Sequence, residues 1–214
     1  MSDRYDTSHL IEDQYEPGSD GTVLRNLLGI TRKEELEYIE EVRFEHLMEK
    51  SVARFDSNHR FTARDILWLH KFWLKGVFSW AGAYRSVNIG KDGFMFAAAA
   101  HVPELMRQFE RDQLTRLTPC RFDRIENVVS ALAEVHVELV LIHPFREGNG
   151  RIARLLSVLM ALQARLPPLD FSDLQGTERE AYFAAIQAGL DRDYRAMERI
   201  FSRVIERTLS ACGS

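Results

Sequence analysis

From residue 125 to residue 143 the side chains of Ile125, Val128, Val129, Leu132, His136, Leu139 and His143 recur mainly at steps of three and four. That is the spacing of one face of an α-helix, and Asp123 with Glu126 three residues on is its expected start. Pro144 closes it, because proline lacks a backbone donor and its ring clashes with the preceding turn. A second helix is expected from about Arg151 to Arg165, stopping before Pro167 and Pro168. The run between the two, through Phe145, Arg146, Glu147, Gly148, Asn149 and Gly150, is therefore an interhelical loop.

The rest of the chain divides into further helices. Residues 1–30 carry Pro17, Gly18, Ser19, Asp20, Gly21, Asn26 and Gly29 with little periodicity. They read as an irregular arm ahead of one domain over residues 31–214. Thr31 with Glu34 makes a capping box, and Leu36, Ile39, Phe44 and Leu47 carry a helix to about Lys50. Thr62 with Asp65 opens another, through Ile66, Leu69, Phe72 and Trp73 to near Val77. Over residues 86–97, Val87, Ile89, Phe94 and Phe96 flank the flexible Gly90, Lys91, Asp92 and Gly93, which predicts a short β-hairpin. Pro103 suits the first turn of a helix to about Leu117, and later helices open at Thr177 with Glu180 and near Asp193. With no internal repeat and no interior linker, the expected class is all-α: a single helical domain with a small β-hairpin.

Composition narrows the function. The 214 residues, 45% hydrophobic and 28% charged, suit one globular domain. A net charge of −4 carries no basic footprint for nucleic acid. No window approaches the ~20 apolar residues of a membrane span. Met1 to Gly21 is polar and acidic, unlike a secretory signal. Cys120 and Cys212 are expected to be reduced thiols of a protein working in the cytoplasm, its own or that of a cell into which it is delivered.

The chemistry concentrates in residues 143–154. Gly148, Asn149 and Gly150 permit a tight curl, and the helix that follows begins with unpaired N–H groups, so the loop can present several donors to one anion. Arg151 and Arg154 sit near that helix start, where the dipole disfavours cations by roughly 0.3 to 1 kcal/mol each. Bound phosphates would relieve the conflict; pairing with acidic side chains elsewhere in the fold would do so too. His143 ends its stripe, where it is either a satisfied core histidine or a base beside the cradle. Glu147 is either a solvated loop acid or a hard oxygen ligand for Mg²⁺ next to phosphates. Phe145 reads as an apolar peg.

Base, metal ligand, anion hole and two arginines in one run suit phosphoryl or nucleotidyl transfer. The run resembles the Fic-domain motif His-x-Phe-x-(Asp/Glu)-Gly-Asn-Gly-Arg-x-x-Arg at every fixed position: His143, Phe145, Glu147, Gly148, Asn149, Gly150, Arg151 and Arg154. Phe78 to Gly82 and the hairpin from Asn88 to Ala97 are similar to the segment that leads into that family's target-docking flap. The resemblance implies a protein adenylyltransferase moving AMP from ATP onto a Tyr, Ser or Thr hydroxyl of a target protein, with Mg²⁺ bound and pyrophosphate leaving. His143 would be the general base and Glu147 the Mg²⁺ ligand. Gly148, Asn149 and Gly150 would form the anion hole, and Arg151 and Arg154 would hold the outer phosphates. Lys91, Asp92, Gly93 and Phe94 of the flap, about residues 86–97, would lie nearest the nucleotide and the docked target. Gly150 stands where phosphate-transferring Doc toxins resemble one another in having Lys, which favours AMP.

Family members are commonly silenced by (Ser/Thr)-x-x-x-Glu-(Gly/Asn). Ser8 with Glu12, Thr31 with Glu35, Ser130 with Glu134, and Ser202 with Glu206 are each incomplete. The expectation is inhibition by a small antitoxin-like partner supplying a Glu against Arg154, with Ser202 and Glu206 the intramolecular candidate. The alternatives are an idle nucleotide-binding interaction module, a Fic enzyme transferring another nucleotide or phosphate-containing group, and a metal-dependent hydrolase using His136, Glu138 and His143.

Overall fold

The computed structural model describes residues 10–172, 174 and 177–212. The helices are α1 (Lys33–Arg54), α2 (Ala63–Leu74), α3 (Val102–Phe109), α4 (Thr115–Leu117), α5 (Ile125–Ile142), α6 (Asn149–Gln163), α7 (Thr177–Ala188) and α8 (Arg195–Cys212). A two-stranded antiparallel hairpin, β1 (Gly90–Lys91) and β2 (Phe94–Met95), lies between α2 and α3. Its turn residues Asp92 and Gly93 have φ of 51° and 80°, the left-handed pair that a two-residue Asp-Gly hairpin turn requires. A π-helical turn, Glu110–Leu114, links α3 to α4, and Pro103 occupies the first turn of α3.

α5 is buried on almost every side. Beyond the expected stripe, Ala131, Ala133, Val135, Val137, Val140 and Ile142 are buried as well, while Ile125 is exposed. α6 and α8 run along it, and α3 and α7 cover further flanks. A helix apolar on all but the narrow stripe of Glu126, Ser130, Glu134 and Glu138 belongs near the centre of a core, so the amphipathic reading understated its burial. His136 is the polar group this centre must satisfy. Its Nδ1 lies 3.2 Å from Ser157 Oγ and its Nε2 2.7 Å from Tyr182 Oη. Ser157 directs its own proton to Ala153 O, so Nδ1–H donates to Ser157 and Tyr182 donates to Nε2.

The helix starts differ in how they are capped. At α2 the predicted box forms: Thr62 Oγ1 accepts from the Asp65 N–H, and the Asp65 carboxylate accepts from the Thr62 N–H, worth about 1 kcal/mol. At α1 the predicted Thr31–Glu34 box is absent; Arg32 caps in extended conformation, and Glu34 and Glu35 instead complement the helix dipole. At α5 the cap is Arg124, whose Nε donates to Glu126, drawing that carboxylate away from Asp123. α1 runs on to Arg54, α2 ends at Leu74, and α6 starts two residues before Arg151, which moves Arg154 into its second turn.

The arm is organised. Asn26 carries it, its amide bonding Leu24 O and Ile30 O and its oxygen accepting from the Leu28 and Ile30 N–H groups. Val23 and Ile30 join the core. Residues 1–9, Ser8 among them, lie outside the described residues, as does the Cys212 side chain; Cys120 is buried as a free thiol.

His70 and His136 are buried, and burial pushes each imidazole down to about 3. The unfolded chain therefore binds more protons than the native one between about pH 6.5 and pH 3. Stability is complete above pH 6.5 and declines as pH falls towards 3. Calorimetric Tm values should drop through that range, and His136→Gln should show a shallower slope; a Tm independent of pH there would contradict it.

Candidate active site

The C-terminal end of α5 builds the first half of the site. His143 caps it with φ 51°, a left-handed conformation that turns its ring off the helix stripe. The ring stacks on Phe96 from the hairpin, with centroids 3.7 Å apart. Nδ1 lies 3.2 Å from Val140 O, which can only accept, so Nδ1 carries the proton and Nε2 keeps a free lone pair. Burial, aided by the charges of Arg85 and Lys91 and opposed by the Val140 carbonyl, pushes the imidazole down to about 4. The ring is therefore neutral at pH 7 and borders an open cavity.

The loop after it is held by its own polar groups. Asn149 Oδ1 accepts from the Phe145 N–H and its amide donates to Phe145 O, both at 2.8 Å. The Asn149 side chain thus closes the loop, and its backbone N–H stays at the start of α6. Phe145 is fully buried and lies flat on His70 at 3.8 Å, a burial worth about 2 to 3 kcal/mol. His70 Nδ1 accepts from the Gly82 N–H, so its Nε2–H donates to Glu147 O. Gly148 has φ 85°, and a Cβ there would meet the Trp73 ring at 2.5 Å, so no larger residue fits without displacing the indole.

α6 begins with the N–H groups of Asn149, Gly150 and Arg151 ahead of the first helical acceptor pair, Ile152 N–H to Gly148 O. The two arginines part company. Arg151 lies 4.3 Å over the Trp73 ring, with Nη2 2.7 Å from the buried Glu40 of α1 and 4.0 Å from Glu147. Burial raises the Glu40 carboxyl, and the Arg151 charge opposes that. Arg154 is different: among the described residues no carboxylate lies within 4 Å of it. Burial lowers its guanidinium, partly offset by the Tyr182 oxygen, and it lines an open cavity.

That cavity, about 450 Å³, is walled by Ile89, Gly90, Lys91 and Phe96 of the hairpin region, His143, residues 146–151, Arg154, and Arg179, Tyr182 and Phe183 of α7. It thus unites the imidazole, the α6 start, both arginines and one hairpin lysine. Of the other predicted hairpin residues, Asp92 and Phe94 line an adjoining apolar cavity of about 280 Å³, and Gly93 sits in the turn. A larger groove, about 970 Å³, meets the site at Glu147 and Arg151 and is bordered by Glu37, Glu40, Glu41 and Glu45. Glu147 is half-exposed, and its Oε1 accepts from the Gly148 N–H. The carboxylate has a second oxygen for a hard cation, which fits a Mg²⁺ site completed by phosphate oxygens and water.

The intramolecular inhibitory candidate is not assembled. Ser202 and Glu206 line a separate groove with Ile125, Val129 and Leu209 and do not reach the cavity that holds Arg154. Glu12 accepts from the N–H and hydroxyl of Ser86, and its carbonyl from Arg146 Nε, so it braces the loop rather than pairing with Arg151 or Arg154. His136 and Glu138 form no metal cluster with His143 among the described residues: His136 is satisfied by Ser157 and Tyr182, and Glu138 accepts from Tyr194. Glu40, His70, Arg85, Arg179 and Tyr182 were not singled out from sequence, and Trp73 only as part of a helix stripe. Glu40 and Trp73 reach the site only through packing of α1 and α2, for which no local motif exists.

The comparisons with known proteins agree. Residues 60–161 match the Fic/DOC family. The chain is 30% identical over 142 residues to the probable protein adenylyltransferase Fic of Escherichia coli (strain K12), covering 64% of this chain and 66% of that protein. It is 33% identical over 137 residues to the protein adenylyltransferase VbhT of Bartonella schoenbuchensis, covering 62% of this chain but 27% of that one. The chain therefore spans just under two thirds of one curated relative and under a third of the other. In fold it resembles the VirB-translocated effector BepC of Bartonella tribocorum, solved with AMPPNP, at a TM-score of 0.70 and 19% identity over 92% of this chain and 97% of that one. A Fic domain from Bartonella quintana, solved with ADP, gives 0.71 and 22% over 92% and 95%. Loop, cavity and resemblance lead to one assignment: residues 60–161 of the chain are a Fic/DOC domain.

Proposed function

We propose that this protein is a protein adenylyltransferase, transferring AMP from ATP to a hydroxyl side chain of a target protein. One observation carries the reading: the free Nε2 of His143 borders the same cavity as the α6 N-terminus and as Arg154, which has no acidic partner within 4 Å among the described residues. Nε2 takes the proton of the target hydroxyl as its oxygen bonds to the α-phosphorus and the bond to pyrophosphate breaks. The N–H groups of Gly150 and Arg151 hold phosphate oxygens, with Gly148 and Asn149 shaping the curl, and Arg154 meets the outer phosphate. Glu147 holds Mg²⁺, which neutralises phosphate charge when bound. Arg151, already tied to Glu40, contributes a fixed positive charge beside the cradle. Lys91, with Asp92, Gly93 and Phe94, forms the flap against which an extended target segment adds as a strand.

The bare Arg154 is also where a glutamate from a small antitoxin-like partner would fit, so inhibition is proposed to act in trans. No helix among the described residues is long and apolar enough to cross a membrane. The proposed setting is a cytosol, its own or that of a recipient cell.

The deciding experiment incubates the protein with α-labelled ATP, Mg²⁺ and a cell lysate. Label should appear on protein and fall by about 10²- to 10⁴-fold in His143→Ala; ATP binding with no label on any protein would instead indicate an idle binding module. The acid limb of kcat/KM should lie near pH 4, where His143 takes up a proton and stops acting as a base. An acid limb at the ordinary histidine value of ~6.5 would contradict that environment. Arg154→Ala should weaken ATP binding by about tenfold or more while weakening ADP less, as read by calorimetry; equal losses would remove Arg154 from the outer phosphate.

A further inference from the structure

Arg85 is 2% exposed, and among the described residues no carboxylate lies within 4 Å of it. A buried guanidinium without a carboxylate in contact is costly unless its donors are taken; here carbonyls take them, with the Glu12 charge helping from longer range. Nε donates to His143 O at 2.6 Å, Nη1 to Val87 O at 2.7 Å, and Nη2 to Ala97 O at 2.5 Å and Ile142 O at 3.3 Å. The Arg85 backbone N–H donates to Pro144 O at 2.9 Å, and the Ala97 N–H to Leu141 O at 3.4 Å. One side chain thus grips both ends of the hairpin, Val87 and Ala97, and the last carbonyls of α5. The positive charge sits at the negative end of that helix dipole, where it is stabilised.

We propose that Arg85 is a positioning residue that joins the flap and the His143 end of α5 into one rigid unit. It sets the distance between a target segment docked on the hairpin and the nitrogen that takes its proton. The inference rests on the adenylyl-transfer reading for its effect on rate, but the coupling of hairpin to helix is testable without it. Transfer needs the hydroxyl, the imidazole and the α-phosphorus aligned, whereas the phosphates of ATP are held chiefly by the α6 cradle, Arg154 and Glu147, which Arg85 does not touch. Loosening Arg85 should therefore slow transfer and spare nucleotide affinity.

Arg85→Lys keeps the charge and the aliphatic stem but cannot reach four carbonyls at once. It should lower kcat by about a hundredfold, as expected for a misplacement on the order of 1 Å. Its ATP dissociation constant should stay within about threefold of the parent protein's. Amide hydrogen exchange over residues 87–97 should quicken. In Arg85→Ala, millimolar guanidinium ion should restore part of the rate and of the protection, a rescue that a general packing defect would not show. Unchanged exchange over residues 87–97 in Arg85→Lys would overturn the proposal whatever the rate, and so would a loss of ATP affinity in step with kcat. A parent protein that transfers no label, while Arg85→Lys still loosens the hairpin, would overturn the adenylyl-transfer reading and leave the coupling standing.

Discussion

A buried helix cannot leave its last carbonyls bare, and the way α5 meets that requirement organises the whole site. Leu139 O accepts from the His143 N–H, Val140 O from the His143 ring, Leu141 O from Ala97, and Ile142 O from Arg85. Two of these four donors belong to His143 itself, and two belong to the hairpin and its approach. The left-handed turn at His143 thus does three things together. It ends the helix, fixes the imidazole tautomer, and brings the hairpin against the ring through Phe96.

The second organising constraint is charge. Arg151 and Arg154 stand three residues apart near one helix start: the dipole opposes the first, and burial, with the charge of Arg151, opposes the second. The fold resolves one conflict and leaves the other. Arg151 is neutralised by Glu40 and laid on the Trp73 face, a fixed cation that braces α6 against α1 and α2. Arg154 faces the cavity that Tyr182 also lines, the Tyr182 hydroxyl being held by His136, and among the described residues no carboxylate within 4 Å answers its charge. An uncompensated cation half withdrawn from water is a standing demand for an anion, and the cavity between α6, α7 and the hairpin is where that anion can enter.

Much of this was legible in the chain. The Thr62–Asp65 cap, the Asp92–Gly93 turn, Pro103 in the first turn of α3 and the stop before Pro144 are local chemistry, and each stands where the residues predict. Thr31 and Asp123 have the same capping pattern and do not cap: each helix starts one residue later, with Arg32 and Arg124 in the cap positions. The stripe of α5 was visible, but its burial on other faces was not, since alanines and valines are compatible with either a half-buried or a central helix. Ser202 and Glu206 have the spacing of an inhibitory pair, yet α8 presents them to a different groove.

The order of residues alone determined that a glycine-rich helix start, an imidazole and two guanidiniums would fall within one turn-and-a-half of each other around an interhelical loop, because that requires only short-range geometry. Which nitrogen of His143 is free, which arginine is already answered, and what steadies the loop were decided by the tertiary structure. Those outcomes depend on Glu40, His70, Trp73 and Arg85, which lie on segments distant along the chain. Burial in a low-dielectric core is what converts their contacts into fixed protonation states and positions.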